Sequence, residues 1–377
     1  MKIVKVLLLV AIASAFLGCT SQAKLVRKAK LSRKVFQLTT AEEILSQMTT
    51  EEKVAQLFVI TPDALSVTAF NSITKKFINA EKKYPVGGFI FFGRHIEDSE
   101  QIYSYTYGLG EFCPIPPILA IEEEGGSISR LANSRSFYLP KFKDMETVGK
   151  TNSVENARIA GQIIGSYLNT YGFNLNLAPI ADANTNPENI IIGNHAFGSD
   201  PAKVSKMVGG FLSGMHATGV KGCLKHFPGH GDTKGSADSY YVSATKTWDE
   251  MKKSDLIPFT ENLKEADCIM VAHIMVPSVD DTCPASLSKK LITEKLRGEL
   301  GYQGVVMTDR LSLGVLEMDY GPGETSVLAL EAGNDILFMP DNFFTAYDAV
   351  LLAVQGGRIS MERLDESVLR ILKLKGF

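Results

Sequence analysis

The sequence predicts an α/β protein with a single (β/α)8 TIM-type barrel, preceded by an N-terminal segment that is not part of the fold. Two observations carry this prediction. Eight short apolar runs follow one another along the chain, each apolar enough to be buried on both faces, as parallel strands are. Amphipathic stretches with helical spacing separate them, and this repeat of strand and helix is the pattern of a closed barrel.

The predicted elements are spread over the chain from residue 56 to residue 375. The strands are Gln56–Pro62, Gly87–Gly93, Pro117–Gly125, Asn174–Asp182, Lys221–Gly229, Asp267–Met275, Gly304–Ser312 and Asn334–Pro340. The clearest helices are Ser153–Thr170, Lys203–Thr218, Lys289–Glu299 and an exposed amphipathic helix at Glu362–Lys375. An open doubly wound sheet would usually have a glycine-rich phosphate turn after its first strand, and this chain has none there.

The first 39 residues are expected to lie outside the barrel. Met1–Lys5 carries two lysines, Val6–Leu17 is an apolar run too short to span a membrane as a helix, and Gly18-Cys19 follows directly. This order resembles that of a bacterial lipoprotein, in which the cysteine becomes the lipidated first residue. An ordinary cleaved signal peptide with an incidental cysteine is the alternative.

These features divide the chain into three predicted parts. Residues 1–18 are a signal peptide, residues 19–39 are a lipidated N-terminus and basic linker, and residues 40–377 are one barrel domain. The stretch 24–34 holds six lysines and arginines and no acidic residue, which favours contact with anionic lipid head groups, although a solvated linker would have the same composition. We therefore expect an exported protein that a lipid on Cys19 anchors to the bacterial cell envelope.

Composition and charge exclude other classes of protein. The 377 residues are 45% hydrophobic with a formal net charge of -3, which suits one large core and gives no electrostatic basis for binding nucleic acid. The cysteines after the linker have the spacing of neither a zinc site nor a disulfide framework. The sequence predicts no metal site and no cofactor, and it leaves the oligomeric state open.

Ionisable residues cluster at the C-terminal ends of the predicted strands, where the active sites of barrel enzymes lie. Each one alone has a structural explanation, such as capping the next helix or pairing with a neighbour. Together they favour a site for a carbohydrate or a phosphate. The residues are Glu122, Glu123 and Glu124 on the third strand, Asp182 on the fourth, Lys225 and His226 on the fifth, His273 on the sixth and Asp309 on the seventh.

Motifs at two of these strand ends point to a family. KHFPGHGDT at 225–233 and VVMTDRLSL at 305–313 resemble glycoside hydrolase family 3, in its single-domain β-N-acetylhexosaminidase branch. The resemblance spans about 40–375 and includes IEEEGG, IGNHAFGSDP and AHIMVP. It implies an exo-acting retaining hydrolase of terminal β-linked sugars, N-acetylhexosamine foremost, acting on glycan fragments. One carboxylate attacks the anomeric carbon, and a second group protonates the leaving oxygen and later activates water.

The resemblance also implies roles for individual residues. Asp309 matches the family nucleophile, for which the structural alternative is a helix N-cap. Lys225 and His226 match a pair that binds sugar hydroxyls, and Arg130 matches an arginine that contacts the substrate. Strand alternation predicts that Arg310 points away from Asp309 and influences its pKa only at a distance.

Three positions depart from the family pattern in the region that would bind the sugar. Glu122 stands where the family has an aspartate that holds the sugar, so the carboxylate is kept on a longer side chain. His195 replaces a substrate-binding arginine and Ser127 replaces another, so a bidentate guanidinium contact is lost. We expect Glu122 and His195 to bind substrate still, in a subsite whose sugar preference is altered.

The acid/base histidine of the family is missing. The loop after GHG ends in Asp-Ser-His in this branch, whereas this chain has Asp238-Ser239-Tyr240 after two additional residues. A tyrosine with a pKa near 10 is about three units from neutrality, whereas burial can raise an aspartate from about 3.9 into the useful range. Asp238 is therefore the first candidate, followed by Tyr240 and then His230, whose expected role is to hold its own turn; the remaining alternative is that no efficient acid is present.

Two other functions fit the same residues. A family member without an efficient acid would bind a sugar and turn it over poorly. A metal-dependent barrel hydrolase would use His226, His230 and Asp232 as ligands, but the proline and glycine between them exclude the helical spacing of an HExxH site. The glycosidase prediction rests on the carboxylate, the lysine–histidine pair and the order of the strands.

Overall fold

The computed structural model describes residues 40–233 and 241–377, and its parallel strands form a closed barrel. Eight strands pair in the order β10-β1-β2-β3-β6-β7-β8-β9, and Met307 in β9 also pairs with Ile336, directly before β10, so the two ends of the order meet. The predicted (β/α)8 barrel is confirmed. The strands are β1 Phe58–Ile60, β2 Gly88–Phe91, β3 Ile118–Ile121, β4 Glu123–Gly125, β5 Ile128–Ser129, β6 Leu175–Asn176, β7 Lys221–Phe227, β8 Cys268–Val271, β9 Val305–Thr308 and β10 Leu337–Phe338.

Helices surround the strands, and those predicted from the sequence are present with ends that differ by at most two residues. The α-helices are Ala41–Gln47, Thr50–Gln56, Pro62–Leu65, Lys75–Lys83, Ser99–Phe112, Met145–Lys150, Val154–Thr170, Pro201–His216, Trp248–Met251, Ile257–Thr260, Gly314–Ala332, Phe343–Gln355 and Met361–Lys375. A π-helix spans Lys290–Glu299, and short 3-10 turns lie at Gly93–His95, Gly193–His195 and Ala285–Leu287. No helix in these ranges is long and apolar enough to cross a membrane.

The first two helices begin where local sequence dictates. The Thr40 and Thr49 hydroxyls accept hydrogen bonds from the backbone N–H groups of Glu43 and Glu52, and the carboxylates of these glutamates accept one from the threonine N–H. Each pair satisfies two backbone N–H groups that the first helical turn would leave unpaired. The capping-box pattern in the sequences TTAEE and TTEEK therefore fixes where these two helices begin.

The third predicted strand, Pro117–Gly125, is wrong in its second half. β3 ends at Ile121, and β4 and β5 form an antiparallel hairpin. The chain can turn there because Gly125-Gly126 adopts positive φ angles, which favour glycine. Glu123 stabilises the hairpin from inside, since its carboxylate accepts hydrogen bonds from two amides of the following turn and from the Tyr167 hydroxyl.

The fourth predicted strand, Asn174–Asp182, is also shorter than its apolar run. β6 covers only Leu175–Asn176, and Pro179 has no N–H to donate to a ladder. Parallel pairing resumes at Ile180, which bridges to Lys225 in β7. The irregular end of this segment brings Asp182 against β7, where it contributes to the site.

The C-terminal helix Met361–Lys375 is amphipathic as predicted, but its apolar face is buried rather than exposed. It packs on the first two helices at the end of the barrel where the strands begin. Wholly buried Asp335 holds it there by accepting hydrogen bonds from Ser367 and Arg370, and Asp335 also pairs with Arg297 at 2.6 Å. Three segments that are distant in sequence are therefore joined through one carboxylate.

Candidate active site

Asp309 lies at the C-terminal end of β9, where the chain leaves the barrel. Its backbone N–H donates to the Val271 carbonyl of β8 at 2.9 Å, and its Oδ1 accepts the Arg310 N–H at 2.7 Å. Among residues 40–233 and 241–377, no hydrogen-bond donor contacts Oδ2. One carboxylate oxygen is therefore fixed and the other is available to a reacting group.

The pKa of Asp309 is lowered although the residue is partly buried. Burial raises the pKa, but the positive charge on His226, the Arg310 N–H and the Lys225 ammonium together outweigh that effect. Asp309 is therefore ionised at neutral pH, as a nucleophile must be. Arg310 acts on Asp309 through a short contact from its backbone N–H, and Arg310 is also among the residues that line the cavity.

A cavity of about 290 Å³ opens at Asp309, between the C-terminal ends of the strands. Small-molecule sites usually enclose about 300–1,000 Å³, so this one suits a single sugar ring with its substituents. Its polar lining is Glu122, Arg130, His226, His230, Asp309 and Arg310, and its apolar lining is Phe92, Ile191, Leu313, Phe338 and Met339. Donors, acceptors and apolar surface together are what a sugar with an apolar substituent requires.

Lys225 lies behind the cavity in an ion pair. Its Nζ is 2.5 Å from Glu124 Oε1 and 3.9 Å from Glu122 Oε1, and its side chain is 3% exposed. Burial lowers the pKa of this lysine, but the two glutamates raise it by more. Glu124 responds in the opposite sense: burial raises its pKa, yet Lys225 and His195 lower it to about 2. Both partners are therefore charged over the whole neutral range.

His195 is the third member of the cluster that it forms with Lys225 and Glu124, and it does not line the cavity. Its Nδ1 donates to Glu124 Oε2 at 2.8 Å, and its Nε2 shares a hydrogen bond with the Ser127 hydroxyl at 3.2 Å. Because an ionised carboxylate only accepts, a neutral His195 takes the Ser127 proton on Nε2. The two positions that depart most from the family pattern are thus in contact with each other.

Glu122 and Arg130 form a second ion pair, at the cavity wall, in which the Arg130 guanidinium donates to Glu122 Oε2. The Arg130 guanidinium lies 5.5 Å from the centre of the Phe92 ring, a distance that allows a cation–π contact. Arg94 lies over the same ring at the same distance. Glu122 and Arg130 keep side-chain exposures of 21% and 28%, so both can reach a ligand.

Wholly buried Asp182 organises the KHFPGH segment. Its Oδ2 accepts both the backbone N–H and the Nδ1–H of His226, at 3.0 and 2.9 Å, and its Oδ1 accepts the His230 N–H at 2.7 Å. Burial lowers the pKa of His226, but Asp182 and Asp309 raise it above its ordinary value. His226 therefore presents its Nε2 edge to the cavity, with a positive charge favoured by two carboxylates.

His230 lies in a different environment, although it lines the same cavity. Its Nδ1 shares a hydrogen bond with the Thr233 hydroxyl at 2.6 Å, and its carbonyl accepts the Asn189 amide. Burial and the charge of His226 lower the pKa of His230. The imidazole therefore stabilises its own turn through the Thr233 side chain.

The structure brings four of the predicted site residues together at the cavity: Glu122, Arg130, His226 and Asp309. Lys225 and His195 lie behind them, each bonded to Glu124. Asp238, Tyr240 and Cys19 lie outside the described residues, so the acid/base and the lipidated cysteine stay predictions. In the described ranges no group of three or more histidine, cysteine, aspartate or glutamate side chains is arranged to hold a metal ion.

Sequence reasoning assigned no role to Glu124, Asp182 or His273. All three had been marked as ionisable residues at strand ends, which is the signal that could have found them. None lines the cavity: Asp182 and His273 each bond to a residue that does, and Glu124 bonds to Lys225 and His195 behind it. The partners of Asp182 and Glu124 lie 44 to 101 positions away in sequence, and those of His273 lie 13 and 37 positions away, so only the folded chain identifies them.

A family model for the glycosyl hydrolase family 3 N terminal domain matches residues 49–374. The chain belongs to glycosyl hydrolase family 3. One relative is a beta-hexosaminidase A from Pseudoalteromonas piscicida, 32% identical over 323 residues, which are 78% of this chain and 54% of that protein. The chain thus spans about half the length of this relative.

Solved family 3 structures are also similar. The glycoside hydrolase family 3 beta-N-acetylglucosaminidase from Paenibacillus sp. str. FPU-7 superposes with a TM-score of 0.80 at 34% identity, covering 87% of this chain and 62% of that one. M tuberculosis LpqI gives a TM-score of 0.79 at 27% identity, covering 90% of this chain and 97% of that one. The family and its barrel are therefore established for this chain.

The depressed pKa of Glu124 predicts a pH-dependent contribution to stability. A carboxyl whose pKa falls from 4.5 to about 2 on folding stabilises the fold above pH 4.5, and this contribution is lost as the pH falls towards 2. Glu124→Gln should therefore reduce the free energy of unfolding by about 3 kcal/mol at pH 6, because it leaves the buried Lys225 ammonium with only the more distant carboxylate of Glu122. Urea titrations of both proteins at pH 6, 4 and 3 measure the difference, which should shrink at each step.

The matched control is Glu331→Gln, which removes an exposed partner of Arg358. We expect this variant to stay within about 0.5 kcal/mol of the parent, since exposed ion pairs contribute little. If Glu124→Gln lowers the free energy of unfolding by the same amount at pH 3 and pH 6, the low pKa assigned to Glu124 is contradicted.

Proposed function

We propose that this protein is an exo-acting retaining glycosidase that removes terminal β-linked sugars, N-acetylhexosamine foremost, through a covalent intermediate on Asp309. One observation carries the proposal: an ionised carboxylate with one fixed and one available oxygen stands in a cavity of the size of a single sugar ring. Oδ2 is the atom that would attack the anomeric carbon. The adjacent ionic groups would hold the ring hydroxyls while it does so.

The lining of the cavity supports a sugar over a phosphate as substrate. Its polar groups include two carboxylates, Glu122 and Asp309, beside Arg130, Arg310 and His226. Carboxylates accept hydrogen bonds from hydroxyl groups but repel a phosphate, whereas arginine and histidine donate to hydroxyl oxygens. We propose that Lys225 and His195 influence substrate through Glu124 and Glu122.

The printed names of the relatives support the choice of sugar. They are called beta-hexosaminidases and a beta-N-acetylglucosaminidase. The apolar part of the cavity, with Phe338 at the end of β10 and Met339 directly after it, would accommodate the methyl group of an N-acetyl substituent. Because this chain covers only part of the longer relatives, its activity and its substrate are put forward as proposals.

The second catalytic group is proposed to come from 234–240. Thr233 bonds to His230 at the cavity, and Val242 pairs with Met275 just beyond the end of β8, so both flanks lie at the cavity end of the barrel. Asp238 is the proposed acid/base, with Tyr240 as the second candidate. A protein that binds sugar without efficient turnover is the alternative function, favoured by the absence of the loop histidine.

Replacement of the nucleophile separates the enzyme from the alternatives. Asp309→Asn should lower kcat/KM at least about 10⁴-fold on aryl β-N-acetylglucosaminide, because an amide cannot form the glycosyl intermediate. The measurement uses a panel of chromogenic β-glycosides (GlcNAc, GalNAc, glucose and xylose), with NMR to show that the first product is the β-anomer.

The control for this variant is Asp348→Asn, on the outside of the barrel in the helix Phe343–Gln355, which should retain parental activity. Turnover of none of these sugars by the parent protein, together with measurable sugar binding, would support the binding protein instead. Activity that is lost on chelation would favour the metal-dependent alternative.

The acid/base assignment predicts different behaviour for two loop variants. Asp238→Ala should slow hydrolysis of a disaccharide about 10²–10⁴-fold while affecting a dinitrophenyl glycoside far less, because the better leaving group needs no proton. Azide should restore the rate and give the β-glycosyl azide. Tyr240→Phe should stay within a few-fold of the parent, and the reverse ranking of the two variants would assign the role to Tyr240.

We also propose that the protein is exported and lipid-anchored to the bacterial cell envelope through Cys19. Support comes from the order of basic residues, apolar run and Gly18-Cys19 in the sequence. Full-length protein made in a bacterium fed an alkynyl fatty acid should acquire the label and partition into detergent. Cys19→Ser should do neither, and a parent protein that carries no label would refute the anchor.

A further inference from the structure

His273 is wholly buried two residues after β8 ends, and it does not line the cavity. It therefore cannot touch a substrate, and any role in the reaction must pass through another group. Its Nε2 is 3.0 Å from the Arg310 carbonyl and its Nδ1 is 2.6 Å from the Ser286 hydroxyl. Both ring nitrogens are thus satisfied by fixed neighbours.

These contacts determine which nitrogen carries the proton. A carbonyl can only accept, so Nε2 is the donor to Arg310. Burial lowers the pKa of His273, which keeps the ring neutral, and Nδ1 is then the acceptor of the Ser286 hydroxyl proton. Ser286 is itself held in place, because its backbone N–H donates to the Ala272 carbonyl and its carbonyl accepts the Asn334 amide.

The Arg310 backbone links His273 to the nucleophile. Beyond Asp309 the chain turns from β8 to β10, with the Leu311 N–H donating to the Phe338 carbonyl at 2.9 Å. The Arg310 N–H therefore pairs with Asp309 Oδ1 instead of a strand, while the Arg310 carbonyl pairs with His273. The two peptide groups of Arg310 are held from opposite sides.

We propose that His273, supported by Ser286, is a positioning residue for the nucleophile: it fixes the Arg310 backbone so that the Arg310 N–H holds Asp309 Oδ1 and leaves Oδ2 aligned with the anomeric carbon. This inference rests on the proposed function, since it concerns the atom that attacks the sugar. A displacement of about 1 Å in such a group can slow a reaction about 10²-fold. His273 acts on the rate of attack and not on the affinity for the sugar.

Three variants test the role. The leucine in His273→Leu has a similar volume but no donor, whereas His273→Gln places an amide N–H within reach of the Arg310 carbonyl. Ser286→Ala removes only the hydroxyl that donates to Nδ1 and so supports the tautomer with its proton on Nε2. The control is His216→Gln, which alters a half-exposed histidine paired with Asp267 outside the barrel.

The measured quantity is the rate at which 5-fluoro-N-acetylglucosaminyl fluoride labels Asp309, followed by mass spectrometry. Fluoride leaves without a proton from the protein, so labelling reports attack by Asp309 even where the acid/base is weak. His273→Leu should label about 10²-fold more slowly than the parent. His273→Gln should recover to within about tenfold, Ser286→Ala should lie between, and His216→Gln should match the parent.

Sugar affinity and folding are measured on the same proteins. Calorimetric titration with N-acetylglucosamine should give dissociation constants within about twofold of the parent, and thermal unfolding should stay cooperative. The proposal is overturned if His273→Leu is labelled at the parental rate. It is also overturned if His273→Leu loses sugar affinity and labelling rate together and His273→Gln restores neither. If the parent labels elsewhere or not at all, the nucleophile assignment and this inference are both refuted, whereas normal parental labelling with unaffected variants refutes the inference alone.

Discussion

The ion pair between Lys225 and Glu124 is the interaction on which the candidate site depends. An ammonium group buried in the barrel wall is stable only next to an opposite charge. Glu124 supplies that charge from the hairpin strand β4, and the same carboxylate accepts a hydrogen bond from His195. Three segments of the chain therefore converge on one buried group, and the cavity wall formed by Glu122 and Arg130 is built in front of it.

The same principle explains why Asp309 is ionised. Each buried cation near it has its own buried carboxylate: His226 has Asp182, and Lys225 has Glu124. These pairs keep the cations charged, and their combined field overcomes the penalty of burying the Asp309 carboxylate. A fixed negative charge at this position would also stabilise the positive charge that develops on the sugar in an oxocarbenium-like transition state.

The departures from the family pattern are coupled in space. His195 and Ser127 stand where the resemblance leads one to expect arginines, and they share a hydrogen bond beside Glu124. Replacing two permanent charges by a histidine and a hydroxyl leaves Lys225 as the charged partner of that glutamate. The polar groups of these residues therefore satisfy one another, and we propose that their replacement changes the sugar preference without collapsing the pocket.

The resemblance to the family motif singled out Asp309 among the ionisable residues at the strand ends. The sequence was sufficient to predict the barrel and the order of its elements, because apolar periodicity is a local property of the chain. The strands predicted around β3 and β6 were too long. After β3, Glu123 bonds to distant partners instead of extending the strand, and after β6, Pro179 has no N–H to donate to a neighbouring strand. Only the folded chain shows that Lys225 and His195 bond to Glu124. The same holds for the hydrogen bonds from His226 to Asp182 and from His273 to the Arg310 carbonyl, next to Asp309. Those contacts join residues far apart along the chain, and their geometry exists only once the strands are in register around the closed barrel.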